Sequence, residues 1–427
     1  MKLKLTLTVF TAILLTNCQG PLVKGSSAKR SGTFSSSQKQ EFIEILNDDR
    51  YSSVCDLGPL IQQYKATKDD RILEELFYRY TQNLANSCID IPTFKRGLAR
   101  KNKQGIKAVY KMYLEDVSKW HLKDQLQKGL SVDSILQPYV PQTPQFNALI
   151  DAYENTADPT LKHKIKINIE RTKLLKNEGW DTYVEVNVPE YKFRFFENGQ
   201  KALEFPVIVG KPTWPTPIFS STLRYITVHP TWNVPDSIAR KEIIPAIIRD
   251  KNYLKRHNMV VKRDYALDSP TVNPRKINWR EYLKPEWENK ELPYKIIELS
   301  SSRNALGRVK FLFPNKYSVY MHDTNNKKLF NRDIRAFSHG CIRLSEPLRF
   351  LGHLSSYYTT QPFEEVGEIL KAKKTTYVGL DEKIPVHIVY LTSYVDDGLV
   401  NFFHDIYGYD RITKLKVPVR IVKKAKR

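Results

Sequence analysis

Ser338-His339-Gly340-Cys341 brings a hydroxyl, an imidazole, a glycine and a thiol together within four residues, and a second imidazole, His322, stands 19 positions before the cysteine. A cysteine attacks as its thiolate, so it needs a base within hydrogen-bond reach. Both histidines are candidates. In an extended segment His339 and Cys341 point to the same face. His322 ends a run from Tyr317 in which Ser318, Tyr320 and His322 share one face while Val319 and Met321 share the other. Spacing alone does not choose between the histidines. Gly340 removes a side chain beside the thiol and lets backbone N–H groups approach an oxyanion. The other cysteines are at 18, 55 and 88, too widely separated for the paired spacing of a zinc site.

Several elements must position these groups. Ser345-Glu346-Pro347 reads as a helix start, with Ser345 as cap and Pro347 in the first turn, so Cys341 is expected on the loop or strand leading into it. Alternation predicts a strand at 184–188 and a hairpin, 192–196 with 202–210, turning at Asn198-Gly199. Further strands are expected at 223–229, 296–300, 308–313, 317–322, 384–392 and 415–422. Residues 236–295 interrupt them with a helical pattern, many charges, and Trp279, Tyr282 and Trp287. An insertion of this length is expected to act as a lid or specificity element. Its aromatics either form its own core or touch substrate. Before residue 180 the apolar period is helical at 38–49, 71–86, 104–128, 144–154 and 160–177, broken by Pro92, Pro138, Pro141, Pro144 and Pro159. A helical half followed by a mostly β half predicts an α+β chain of two domains joined near 179.

The chain has 427 residues, 41% of them hydrophobic, which excludes wholesale disorder, and no long apolar run follows the first twenty residues, which excludes a polytopic membrane protein. Lys2 and Lys4 precede a short apolar stretch from Leu5 to Leu15, the form of a secretory signal. Leu15-Thr16-Asn17-Cys18 resembles a bacterial lipobox in which Cys18 is lipidated, although Asn17 departs from it; a plainly cleaved leader is the alternative. Residues 19–37 read as a flexible tether. Export permits a Cys55–Cys88 disulfide, which would clamp the ends of a helical stripe of Leu73, Leu76, Phe77, Tyr80 and Leu84; two separate buried thiols are the other reading. The net charge of +22 points to a polyanionic neighbourhood, and residues 411–427 carry eight Lys/Arg and no acid. An export signal and the lack of a nucleic-acid motif weigh against a nucleic-acid partner, leaving an anionic wall or membrane surface.

His322 followed by Ser338-His339-Gly340-Cys341-Ile342-Arg343 resembles the L,D-transpeptidase (YkuD catalytic domain) family. VNVPEY (186–191), VGKPTWPTP (209–217), TWNVPDSI (231–238), NALGRVKFLFPN (304–315), YMHDT (320–324) and FFHDIYGYD (402–410) are similar to its large periplasmic YcbB-like branch, as is IKINIERTKLL (165–175). The likeness covers about 165–412. It implies a helical scaffold domain at 38–179, then a mostly β YkuD-type catalytic domain at 180–427 with a lid subdomain inserted at 236–295. It further implies Cys341 as nucleophile and His322 as general base, with the protonated imidazole stabilising the thiolate. Gly340, His339, Ser338 and Tyr320 would shape the oxyanion site and pocket, with N–H groups of Gly340 and Cys341 holding the oxyanion. Arg343 would support the Cys341 loop or a substrate carboxylate. No metal or organic cofactor is implied.

The implied substrate is the peptidoglycan stem peptide, transferred from a tetrapeptide donor to an amine. Water as acceptor would make an L,D-carboxypeptidase, a protein amine would tether a lipoprotein to the wall, and a non-catalytic wall-binding scaffold is the remaining class. The implied setting is the periplasm of a Gram-negative bacterium, with the chain lipid-anchored through Cys18 and wall-synthesis partners meeting the helical domain. Two features depart from the family. No glycan-binding module is legible between 90 and 160, and His229-Pro230 replaces an Asn-Pro pair.

Overall fold

From Tyr183 onward the alternation becomes a sheet in the computed structural model, which describes residues 33–417 apart from 267 and 289. The leader, Cys18, most of the tether and the basic residues beyond 417 lie outside the described residues. The strands are β1 (Tyr183–Asn187), β2 (Lys192–Glu197), β3 (Gln200–Gly210), β4 (Phe219–Val228), β5 (Trp232–Asn233), β6 (Met259–Lys262), β7 (Lys295–Glu298), β8 (Val309–Leu312), β9 (Met321–His322), β10 (Ala336–Ser338), β11 (Ile342–Leu344), β12 (Thr376–Val389), β13 (Ser393–Asp396) and β14 (Leu399–Phe402). Nine of them form one sheet in the order β10-β3-β11-β9-β8-β4-β12-β1-β2, and pairing of β2 with β3 closes it on itself. Asn198 and Gly199 both take positive φ (49° and 72°), the geometry that a tight hairpin turn requires. Inside lie Val184, Phe193, Phe195, Val207, Ile226 and Phe311, with Phe350, Leu351 and Leu354 from the helix Pro347–Tyr357. Burying each such side chain stabilises by about 1.5–3 kcal/mol.

The insertion has a sheet of its own, β5-β7-β6, and a separate core including Val234, Ile244, Val261, Trp279 and Ile296. The strand expected at 296–300 is therefore part of the insertion rather than of the main sheet. Trp279, Tyr282 and Trp287 pack on one another, with ring centroids 6.4 and 4.9 Å apart. None of these three aromatics lines the cavity described below, to which the insertion sends Trp232 of β5 and residues of its first helical turns.

The helical half holds Ser36–Asp48, Gly58–Thr67, Asp70–Asn86, Ile91–Lys103, Lys119–Gln127, Gln145–Glu154 and Pro159–Thr172 among its helices. Two of these, Gly58–Thr67 and Ile91–Lys103, are invisible to a reading that treats proline as a breaker. Pro59 and Pro92 sit in the first turn, where the missing N–H costs nothing. The helix expected over 104–128 forms only at Lys119–Gln127. Residues 106–112 run extended instead, because Ala108 and Tyr110 are buried in the core of the main sheet and Tyr110 pairs with Ile218. Tertiary packing here overrides local propensity. Cys55 and Cys88 form a disulfide with Cα atoms 6.0 Å apart, joining the loop before Gly58–Thr67 to the end of Asp70–Asn86.

Candidate active site

Three adjacent strands set the chemistry. Lys310 on β8 lies opposite His322 on β9, and His322 lies opposite Arg343 on β11. A row of Lys, His and Arg thus crosses the sheet. The strand expected over 317–322 pairs only at Met321–His322. Asn315 breaks it earlier, its side chain accepting the Tyr317 and Val319 N–H groups, and Ser318 takes φ +57°. That break turns the Ser318 carbonyl toward the Cys341 sulfur, 3.8 Å away. Val319 and Met321 do face the core, leaving Tyr320 and His322 on the cavity side.

Cys341 sits on the turn between β10 and β11, and the thiol is free. Gly340 beside it has φ +113°, which L side chains rarely adopt. The buried Ser338 closes this turn: its hydroxyl donates to the Cys341 carbonyl (2.5 Å) and accepts the Gly340 N–H (3.1 Å). The Gly340 N–H expected in the oxyanion site is therefore already engaged. The Cys341 N–H, with no acceptor among the described residues, is the backbone donor left for an oxyanion.

Two residues that no single sequence signal marked, Thr216 and Tyr407, brace the turn from below. Thr216 donates to the Gly340 carbonyl (2.9 Å), and Tyr407 donates to the Gly210 carbonyl (2.6 Å) while accepting the Thr216 N–H (3.1 Å). Both lie inside the segments 209–217 and 402–410, whose likeness to the family was the only pointer to them. Ser345 is not the expected cap: the helix begins after Glu346 without a side-chain cap, and the Ser345 hydroxyl is buried unpaired.

The thiol opens onto a cavity of about 400 Å³ lined by Tyr320, His322, Ser338, His339 and Arg343, with Trp232 and Glu242 from the insertion. The two histidines now differ. His339 Nε2 is engaged by Glu242 (2.6 Å), and its ring packs on the Trp214 edge at 4.5 Å. His322 Nδ1 meets the Asp323 carbonyl (2.5 Å), which can only accept, so the proton is assigned to Nδ1 and Nε2 keeps its lone pair. Burial above all, then the cations Arg343 and Lys310, pushes His322 down to about 3. Burial likewise pushes the Cys341 thiol up, against the opposing pull of Tyr320, Lys310 and Arg343. Both shifts run against the imidazolium–thiolate pair that the family resemblance implies and favour the thiol and the neutral imidazole.

Lys310 is the residue this site adds. Its ammonium lies 4.0 Å from the centre of the Tyr320 ring, and its cation acts on the thiol. Alkylation of Cys341 by iodoacetamide is expected to rise with pH along one curve lying alkaline of the ordinary thiol range. No plateau should appear at acidic pH, where an ion pair would give one. Lys310→Met should move the curve further alkaline and Lys310→Arg should restore it. An unmoved curve in Lys310→Met would remove Lys310 from the thiol's electrostatics.

His229 also has an explanation. It takes φ +49°, a conformation that asparagine enters more readily, and its ring compensates by bonding the Leu370 carbonyl at 2.8 Å.

Parts of the chain are similar to known proteins. Residues 181–376 match the family model of the YkuD L,D-transpeptidase catalytic domain. The Haemophilus influenzae protein named "Putative L,D-transpeptidase" is 29% identical over 308 residues, 70% of this chain and 57% of that protein, so the chain spans little more than half of that relative's length. Among solved structures, an L,D-transpeptidase from Mycobacterium smegmatis matches 49% of this chain and 58% of its own at 12% identity, with a TM-score of 0.22. The catalytic domain of the E. faecium L,D-transpeptidase matches 49% of this chain and 98% of its own at 17% identity, with a TM-score of 0.19. Residues 181–376, which hold the main sheet and the Cys341 turn, are thus similar to the YkuD L,D-transpeptidase catalytic domain.

Proposed function

We propose that the protein crosslinks peptidoglycan by cysteine-mediated acyl transfer between stem peptides. The observation that carries this reading is a free Cys341 opening onto the same cavity as His322, whose only engaged nitrogen is Nδ1. His322 Nε2 takes the thiol proton as the sulfur attacks the carbonyl of the third-position diamino acid in a tetrapeptide stem. The Cys341 N–H stabilises the tetrahedral oxyanion. Its collapse breaks the C–N bond to the terminal D-alanine, whose amine leaves with the proton from His322. An amine of a neighbouring stem then attacks the thioester, gives its proton to His322 and expels the sulfur, leaving an amide that joins two third-position residues. The proposed setting is the periplasmic side of a membrane, with Cys18 as lipid anchor.

Purified mature protein and its Cys341→Ala variant, incubated with muropeptides and followed by mass spectrometry, test this. The wild type is expected to give crosslinked dimers and the variant none. A tripeptide stem without dimer would make water the acceptor and the activity that of a carboxypeptidase. Full activity in Cys341→Ala would overturn the mechanism.

A further inference from the structure

Lys107 belongs by sequence to the helical half, yet it lines the cavity that holds Cys341. Its backbone is fixed on both sides. Ile106 donates to the Lys101 carbonyl (3.1 Å), and Ala108 exchanges hydrogen bonds with the Asn102 side chain (2.8 and 3.3 Å). Beyond it, Lys111 N–H donates to Ile218 O (2.8 Å) and Ile218 N–H to Val109 O (3.0 Å), stitching this segment to the sheet. The next residue, Phe219, packs its ring on Tyr317 at 5.0 Å, and Tyr317 precedes the Ser318 carbonyl that faces the sulfur. Contact by contact, Lys107 is anchored to the Ser318 side of the thiol.

The charges around the cavity do not balance. Its one lining carboxylate, Glu242, is engaged by His339. Lys107 has no carboxylate partner among the described residues, and the buried Nε of Arg343 has no acceptor. The cavity therefore offers cations to a ligand that must bring its own negative charge. An ammonium on a flexible four-carbon stem, held at a rigid backbone position on the rim, is suited to meeting such a charge.

Resting on the proposed stem-peptide reaction, we propose that Lys107 is a specificity-determining residue that binds a free carboxylate of the peptide donor. The helical half thereby completes the substrate site of the catalytic domain. The carboxylate is either the C-terminus of the donor or the side-chain carboxylate of its third residue. Donor stems with both groups free, with the C-terminus amidated, or with the side chain amidated separate the two.

Lys107→Gln is expected to raise KM for the free donor by roughly 3- to 10-fold and to leave kcat within about twofold, the mark of a binding contact kept through the transition state. The penalty should vanish on whichever amidated donor lacks the recognised group, and Lys107→Arg should keep KM near wild type. A wild-type KM in Lys107→Gln, or an equal penalty on all three donors, would overturn the inference. If the wild type turns over no donor, the reaction class fails instead. The inference is then decided by labelling Cys341 with anionic iodoacetate against neutral iodoacetamide. A rate ratio reduced threefold or more in Lys107→Gln, on the order of one exposed charge contact, and regained in Lys107→Arg supports it. An unchanged ratio overturns it.

Discussion

Replacing His322 with glutamine is expected to lower kcat/KM for acyl transfer by about 10²- to 10⁴-fold, the usual contribution of a positioned general base. His322 Nε2 has no partner among the described residues, whereas His339 is held through its own Nε2 by Glu242. His339→Gln should therefore cost far less, and equal losses in the two variants would contradict the assignment. The same burial predicts a pH signature in stability. His322 is held at about 3 against an ordinary 6.5, so between those values the unfolded chain binds a proton that the folded chain refuses. Its contribution is fully present above pH 6.5 and is lost as the pH falls toward 3. Urea melts of wild type and His322→Gln across that window should converge in acid if the sign is right.

Glu170→Ala is expected to destabilise the fold by about 3–5 kcal/mol, because it strands a buried cation. Glu170 is fully buried; one oxygen accepts the Ser52 hydroxyl and the Lys173 ammonium (both 3.1 Å), the other the Ser87 hydroxyl (3.2 Å) and the Cys88 N–H (2.6 Å). Burial already pushes Lys173 down to about 8 even with Glu170 beside it. One carboxylate therefore organises the backbone next to the disulfide as well as the helix Pro159–Thr172. Reducing the disulfide, which spans 33 residues, is expected to cost only about 2–4 kcal/mol by the chain-entropy model. Denaturant midpoints would rank the two, and a Glu170→Ala loss below about 1 kcal/mol would show that water reaches Lys173.

What the sequence made legible follows a physical divide. Alternation and the Asn198-Gly199 turn located β1 to β3 within a residue or two, because those strands obey a local period. The Cys341 turn was equally legible, since glycine beside a thiol is a local signal. The pairing that places Lys310 beside His322 was not, because register across strands is a long-range property that no spacing encodes. Nor was the extended run at 106–112, where Ala108 and Tyr110 answer to a sheet more than a hundred residues away. The lowered pKa of His322 is not legible for the same reason: it follows from burial first and then from Arg343 and Lys310, which strand pairing brings beside it.

The segment carrying Ala108 and Tyr110 into the main sheet has a counterpart running the other way. Val395, Val400 and Phe402 of the β13–β14 hairpin pack on the helical core, Arg171 pairs with Asp410 at 2.6 Å, and Asn168 bonds Thr392. Each half thus lends part of its hydrophobic interior to the other. A fragment starting at residue 180 would be an excised catalytic domain with open seams, its exposed apolar surface inviting aggregation. The described chain is expected to melt in a single cooperative step, and a drug or mutation that loosens the helices should reach the thiol by unfolding rather than by signalling.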